Sequence, residues 1–238
     1  MKTTWVYLAL MAGTLSFPLL FSFSRRFGFG PRWKAAWAAV AMSALPFLAW
    51  DVLFTRWGVW GFNPAYILGF SLFGLPLEEV LFFFCIPFAN LFIYQALARS
   101  PLLLRPPAAV RWAWGIAAAL LLGAGIFQIQ HAYTCTVCLL ACAASACLCW
   151  RNPPWSALLL AATAMQYFPF LLVNGLLTGL PVVMYRASAL NGFRIGTIPA
   201  EDFAYSFILL ALNVAIYEKL TRDGNLTRAK PVRSPDAA

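Results

Sequence analysis

The sequence predicts an all-α membrane protein: seven transmembrane helices, built as two parallel three-helix repeats joined by a connector helix, a 3+1+3 plan. Three observations predict it. Apolar residues make up 62% of the chain and charged residues only 11%. A soluble domain carries about half apolar and about a quarter charged residues, so the bilayer must act as the solvent. The apolar runs are about helix length and do not alternate in hydrophobicity, which selects helices over a closed barrel. Finally, one half of the chain repeats in the other.

A span needs about 20 apolar residues. Runs of that kind lie at 4–23, 34–54, 76–97, 111–129, 132–150, 156–177 and 200–220. The first is followed by Ser24-Arg25-Arg26 rather than a small-x-small cleavage site, so it reads as a retained span and not a signal peptide. Residues 1–98 form the first repeat, 99–130 the connector and 131–220 the second repeat. Residues 221–238 are polar and proline-containing and read as a disordered cytoplasmic tail.

The formal net charge is +9. Nucleic acid is not the partner this implies, because most of the basic residues fall in short loops on one side of the spans. That side holds Arg25, Arg26, Arg32, Lys34, Arg99, Arg105, Arg111 and Arg151, and the tail adds more. The other side holds Lys2, Arg56, Arg186 and Arg194. Positive loops stay in the cytoplasm, so the N-terminus is expected outside and the C-terminus inside. Cys135-x-x-Cys138 has metal-like or redox-like spacing, but no His or second Cys pair lies at zinc-site distance. The Ala- and Cys-rich stretch around it reads as a close helix contact, and no metal is expected.

Shifting the chain by 123 residues lays 46–97 on 169–220 without a gap. Pro46-Phe47-Leu48 meets Pro169-Phe170-Leu171, and Gly69-Phe70 meets Gly192-Phe193. Pro76-Leu-Glu78-Glu79 meets Pro199-Ala-Glu201-Asp202, Asn90 meets Asn213, and Tyr94 meets Tyr217. Four crossings separate equivalent helices, so both halves share one orientation about a pseudo-twofold axis along the membrane normal. Sites in such proteins tend to lie between the halves.

Carboxylates are costly inside a membrane, about 2.5–3.5 kcal/mol at its centre on insertion scales, and mark functional positions. Glu78, Glu79, Glu201 and Asp202 follow a proline at the same place in each half. They could be ordinary helix starts, since a proline and acidic residues suit the first turn. Paired acid chemistry is the better reading, because neighbouring carboxyls in a dry site keep a proton available. Glu78 and Glu201 are the expected leading donors, with Glu79 and Asp202 as partners or bases. Asp51 meets Asn174 in the repeat; the two either tie helices together or orient a carboxyl proton. Arg194 is a candidate counter-charge. Trp57, Trp60, Tyr185 and Phe193 surround the two regions, as an interfacial belt or as a cage for a cation.

With those residues in place, the chain resembles the integral-membrane lycopene cyclases found as two small subunits in some bacteria and fused to phytoene synthase in fungi. The resemblance rests on Pro-x-Glu-Glu followed by Phe82-Phe83, and on Pro-x-Glu-Asp-Phe in the second half. It rests further on Asn174-x-x-x-Thr178-Gly179, Pro181, Tyr185 and Gly192-x-Arg194-Ile. The chain looks like the two subunits joined end to end, without a phytoene synthase. The resemblance implies a redox-neutral lycopene β-cyclase of carotenoid biosynthesis that closes the ψ end groups of lycopene into β-ionone rings, giving γ-carotene or β-carotene. It implies that Glu78, Glu79, Glu201 and Asp202 carry the acid and base roles, with no cofactor. The implied partners are the lipid bilayer, the carotenoid substrate and other carotenoid-biosynthesis enzymes.

A proton-coupled small-solute transporter of 3+1+3 architecture is the main rival, and a cyclase of longer C50 carotenoids is another. A retinal receptor would need a mid-span lysine, and a prenyltransferase would need Asp-rich diphosphate motifs. The sequence has neither.

Overall fold

The computed structural model describes residues 4–24, 26–100 and 108–223. Seven α-helices carry the fold of the described residues: α1 (Val6–Phe21), α2 (Trp33–Arg56), α3 (Leu77–Leu97), α4 (Ala108–Phe127), α5 (Ala132–Arg151), α6 (Ser156–Gly179) and α7 (Ala200–Asp223). Among the described residues, α2 to α7 are long and apolar enough to cross a membrane, which makes this a multi-pass membrane protein. α1 is shorter, at 16 residues. Its rise of 1.5 Å per residue gives about 24 Å, against about 30 Å of hydrocarbon. α7 continues through Asp223, so its last turn occupies the first positions of the expected tail. The rest of that tail, Arg25 and Arg105 lie outside the described residues.

Among the described residues, six short strands sit between helices: β1 (Trp60–Phe62), β2 (Ser71–Leu72), β3 (Leu75–Pro76), β4 (Val183–Tyr185), β5 (Arg194–Ile195) and β6 (Ile198–Pro199). The sequence reading had no strands. β2–β3 and β5–β6 are small hairpins at equivalent places in the two halves. Gly69 and Gly192, matched by the repeat, enter them at φ +90° and +88°. Glycine alone adopts that backbone at no steric cost. β1 and β4 pair with each other, antiparallel, with Trp60 opposite Tyr185 and Phe62 opposite Val183. This ladder joins the first half to the second.

Helix packing follows the repeat. α1 lies along α3 as α5 lies along α7, and α2 packs on α7 as α6 packs on α3. The middle helix of each half thus leans on the last helix of the other, as a pseudo-twofold arrangement requires. α4 and α5 form a close hairpin. Gly115 and Gly125 of α4 allow it, because a Cβ there would stand 3.1 Å from Cys149 Sγ and 3.2 Å from Leu139. The cysteines of α5 are free thiols.

Matched polar residues tie the halves together below the site. Asn213 Nδ2 donates to the Pro87 carbonyl at 3.0 Å. Tyr217 Oη donates to Gln95 at 3.0 Å, and Tyr94 Oη to Glu218 at 2.6 Å. A buried side-chain amide or phenol needs such a partner, so these bonds fix the α3–α7 contact.

Candidate active site

The ends of α2 and α6 and the starts of α1, α3, α5 and α7 meet at one end of the bundle. From there a cavity of about 560 Å³ runs along the bundle, past Glu79 to Ile93 on α3 and past Tyr7 to Pro18 on α1. Asp51, Glu79 and Asp202 line it, with Asn174, Trp60, Tyr185, Tyr7, Tyr133 and Tyr205. The β1–β4 ladder forms the roof: Trp60, Phe62, Val183 and Tyr185 all line the cavity from above. No basic side chain lines it among the described residues.

Asp202, at the start of α7, is 6% exposed. It accepts three hydrogen bonds: from Tyr133 Oη at 2.8 Å, Asn174 Nδ2 at 2.8 Å and Tyr185 Oη at 2.9 Å. Burial and the neighbouring Asp202 hold the Tyr185 hydroxyl well above the usual tyrosine range, so it stays a proton-bearing donor. Glu79, its counterpart on α3, accepts one bond through Oε2, from the Tyr7 hydroxyl. Oε1 of Glu79 makes no hydrogen bond among the described residues. Asp51 Oδ1 accepts the Trp60 indole N–H at 2.5 Å, while Oδ2 is buried and accepts no hydrogen bond among the described residues.

Four rings stand around these carboxyl groups. Trp60 lies 5.1 Å from Tyr133, edge to face, and 6.3 Å from Tyr185. Tyr133 and Tyr185 are near-parallel at 6.2 Å, and Tyr205 lies 6.3 Å from Tyr133. Their faces are suited to a cation, at about 0.5–2 kcal/mol each.

Glu78 and Glu201, the expected leading donors, do not line this cavity. Both are buried, at 0% and 3% exposure. Glu78 Oε1 accepts the backbone N–H of Leu68 at 2.7 Å, and Glu201 Oε1 accepts that of Asn191 at 2.8 Å. These are equivalent bonds to equivalent loops, and Glu201 also accepts the hydroxyl of Thr134. The first carboxylate of each motif therefore pins the hairpin segment, and only the second lines the cavity. Consecutive helical positions are about 100° apart, which separates the two roles.

Three other expected residues are placed elsewhere. Trp57 is 62% exposed and Phe193 is 64% exposed. Arg194 is exposed and donates to the Thr197 carbonyl at 2.6 Å within its own hairpin. None of the three lines the cavity that holds the carboxyl groups.

Tyr7, Tyr133 and Tyr205 were missed by the sequence reading. A signal existed for the first two. At the first helix of each half the repeat offset changes from 123 to 126, which lays Tyr7 on Tyr133. Each then donates to the second carboxylate of its own half.

Among the described residues, no cluster of His, Cys, Asp and Glu could hold a metal ion. Neither a curated protein nor a solved structure matches the chain. One family pattern does, that of lycopene cyclase, over residues 4–97 and 130–220. The two matched segments begin 126 residues apart and end 123 apart, as the two offsets of the repeat do.

Proposed function

The chain belongs to the lycopene cyclase family, and on that premise we propose that it closes the ψ end groups of lycopene into β-ionone rings by proton transfer alone. A role in carotenoid cyclisation follows from membership. The substrate, the ring type and the residue roles are our reading.

The observation that carries it is the unequal treatment of the carboxyl groups in one chamber. Three carboxyl groups without a counter-charge cannot all be ionised cheaply in a dry cavity. Asp202, with three donors on it, is the one best supported as a carboxylate. Glu79, with one donor and an open Oε1, is the one placed to carry a proton towards the cavity. Two acids with separated environments give separate acid and base roles.

The steps then balance. Glu79 gives its proton to the hydrogen-bearing carbon of the terminal double bond, leaving a tertiary cation next to it. The neighbouring alkene attacks that cation, a carbon–carbon bond closes the six-membered ring, and the charge moves onto the ring. Asp202 takes a proton from the ring, which sets the new double bond. One proton enters and one leaves, and no electron is exchanged. Trp60, Tyr133, Tyr185 and Tyr205 stabilise the cation with their faces, and the apolar wall keeps water from capturing it. Asp51 supports Glu79, and its bond to Trp60 holds one ring of the cage.

In this reading all seven helices cross the bilayer as 3+1+3, with the carboxylate end outside and the basic end in the cytoplasm of a bacterial cell. The test is expression in cells that accumulate lycopene. Monocyclic or bicyclic product is expected, and the purified protein should need no added reductant. Unchanged lycopene, or a strict need for a reductant, would contradict the proposal.

A further inference from the structure

The chamber is closed above and below but open on one side. The β1–β4 ladder roofs it. At the far end Phe17 meets Phe92 edge to face at 5.8 Å, and Phe27 packs on Phe92 at 5.0 Å. α3 and α7 form the back wall, where α3 contributes residues from Glu79 to Ile93. At 1.5 Å per residue that wall is about 21 Å long.

The remaining side lies between α1 and α6, which touch only slightly. Ala9, Gly13 and Phe17 of α1 line the cavity and are also exposed; so are Pro169, Leu172 and Leu176 of α6. Spacings of three and four put each set on one helix face. A residue that is both cavity wall and outer surface marks a mouth. The mouth lies along mid-helix positions and every rim residue is apolar or glycine, so it faces hydrocarbon rather than water.

We propose that this slit between α1 and α6 is the portal by which a polyene reaches the carboxyl groups directly from the bilayer. The idea rests on the cyclase reading above. One chamber with one side opening admits one end group at a time, while the rest of the polyene stays in lipid. The second end of a linear substrate must leave and re-enter to be cyclised.

Gly13 offers the test. A Cβ built there meets nothing within 4 Å, so a larger side chain projects into the slit without disturbing the helix contacts. Gly13→Phe in lycopene-accumulating cells should lower cyclic product at least about tenfold at equal protein in the membrane. Gly123→Phe on α4, where a Cβ also meets nothing within 4 Å, should leave product unchanged. A folding defect is separated by modifying the folded protein. Purified Gly13→Cys, labelled with a bulky methanethiosulfonate that forms a mixed disulfide, should lose activity by a similar factor relative to the unsubstituted chain treated in parallel, and regain it when the disulfide is reduced. Full activity in the labelled protein would overturn the portal. An unsubstituted chain that cyclises nothing would instead overturn the cyclase reading.

Discussion

The two halves of this protein build the same groove twice, one as the cavity wall and the other filled with aromatic rings. In the open groove, between α1, α3 and α6, the wall carries Phe82, Phe170, Val173 and Leu177. The repeat lays those positions on Tyr205, Phe47, Trp50 and Phe54 of the other groove. There Trp50 packs on Tyr205 at 4.9 Å and on Phe54 at 5.6 Å, and Phe47 meets Tyr205 at 5.2 Å. Aromatic rings occupy the space that Val173 and Leu177 leave free. One backbone plan thus yields a chamber on one side and a packed wall on the other. The carboxyl groups of both halves then serve a single site.

The comparison can be broken most strongly at the second carboxylates. Glu79→Gln and Asp202→Asn should each lower cyclisation by about 10²–10⁴-fold, the usual weight of a general acid or base. Product per unit of membrane-inserted protein is the measure. The groove comparison can be inverted next. Val173→Trp places the plug in the open groove, and product should fall at least about tenfold with the protein still inserted. Trp50→Val removes it from the closed groove, where a large-to-small change in a packed site costs about 3–5 kcal/mol. A lower melting temperature should report it, with the chamber carboxyls untouched.

Smaller effects sharpen the contrast between the halves. Tyr133→Phe deletes one of three donors on Asp202, and a hydrogen bond to a charged group is worth about 1.5–3 kcal/mol. The rate should drop about tenfold or more. Glu78→Gln and Glu201→Gln should stay within about threefold of the parent, because glutamine keeps the oxygen that accepts the loop N–H. A loss equal to that of Glu79→Gln would return the donor role to the first carboxylate of each motif.

Most of the helical plan was legible, because lipid forces long apolar runs and internal hydrogen bonding. The expected spans at 132–150 and 156–177 differ from α5 and α6 by two residues or fewer. The hairpins were not legible. They are two- and three-residue strands set by turns and by a carboxylate from the next helix, and no alternation that short stands out from the apolar background. The repeat revealed that Glu78-Glu79 and Glu201-Asp202 correspond, but not which member faces inward. That depends on helix rotation, fixed here by the Leu68 and Asn191 backbone bonds. Trp60 and Tyr185 were found from their place beside the motifs. Tyr205 was not, although it lies one helical turn after Asp202, because its ring partners Phe47, Trp50, Trp60 and Tyr133 come from other elements.

The central claim is that a carboxyl proton of this protein ends up on the carbon skeleton as the ring closes. The most direct measurement equilibrates the purified protein in D₂O, supplies lycopene for a single turnover and weighs the product by mass spectrometry. The account predicts one deuterium per ring formed, on the carbon that carried the terminal hydrogen, and a matching drop in labelled product with Glu79→Gln. Cyclic product free of deuterium would contradict it.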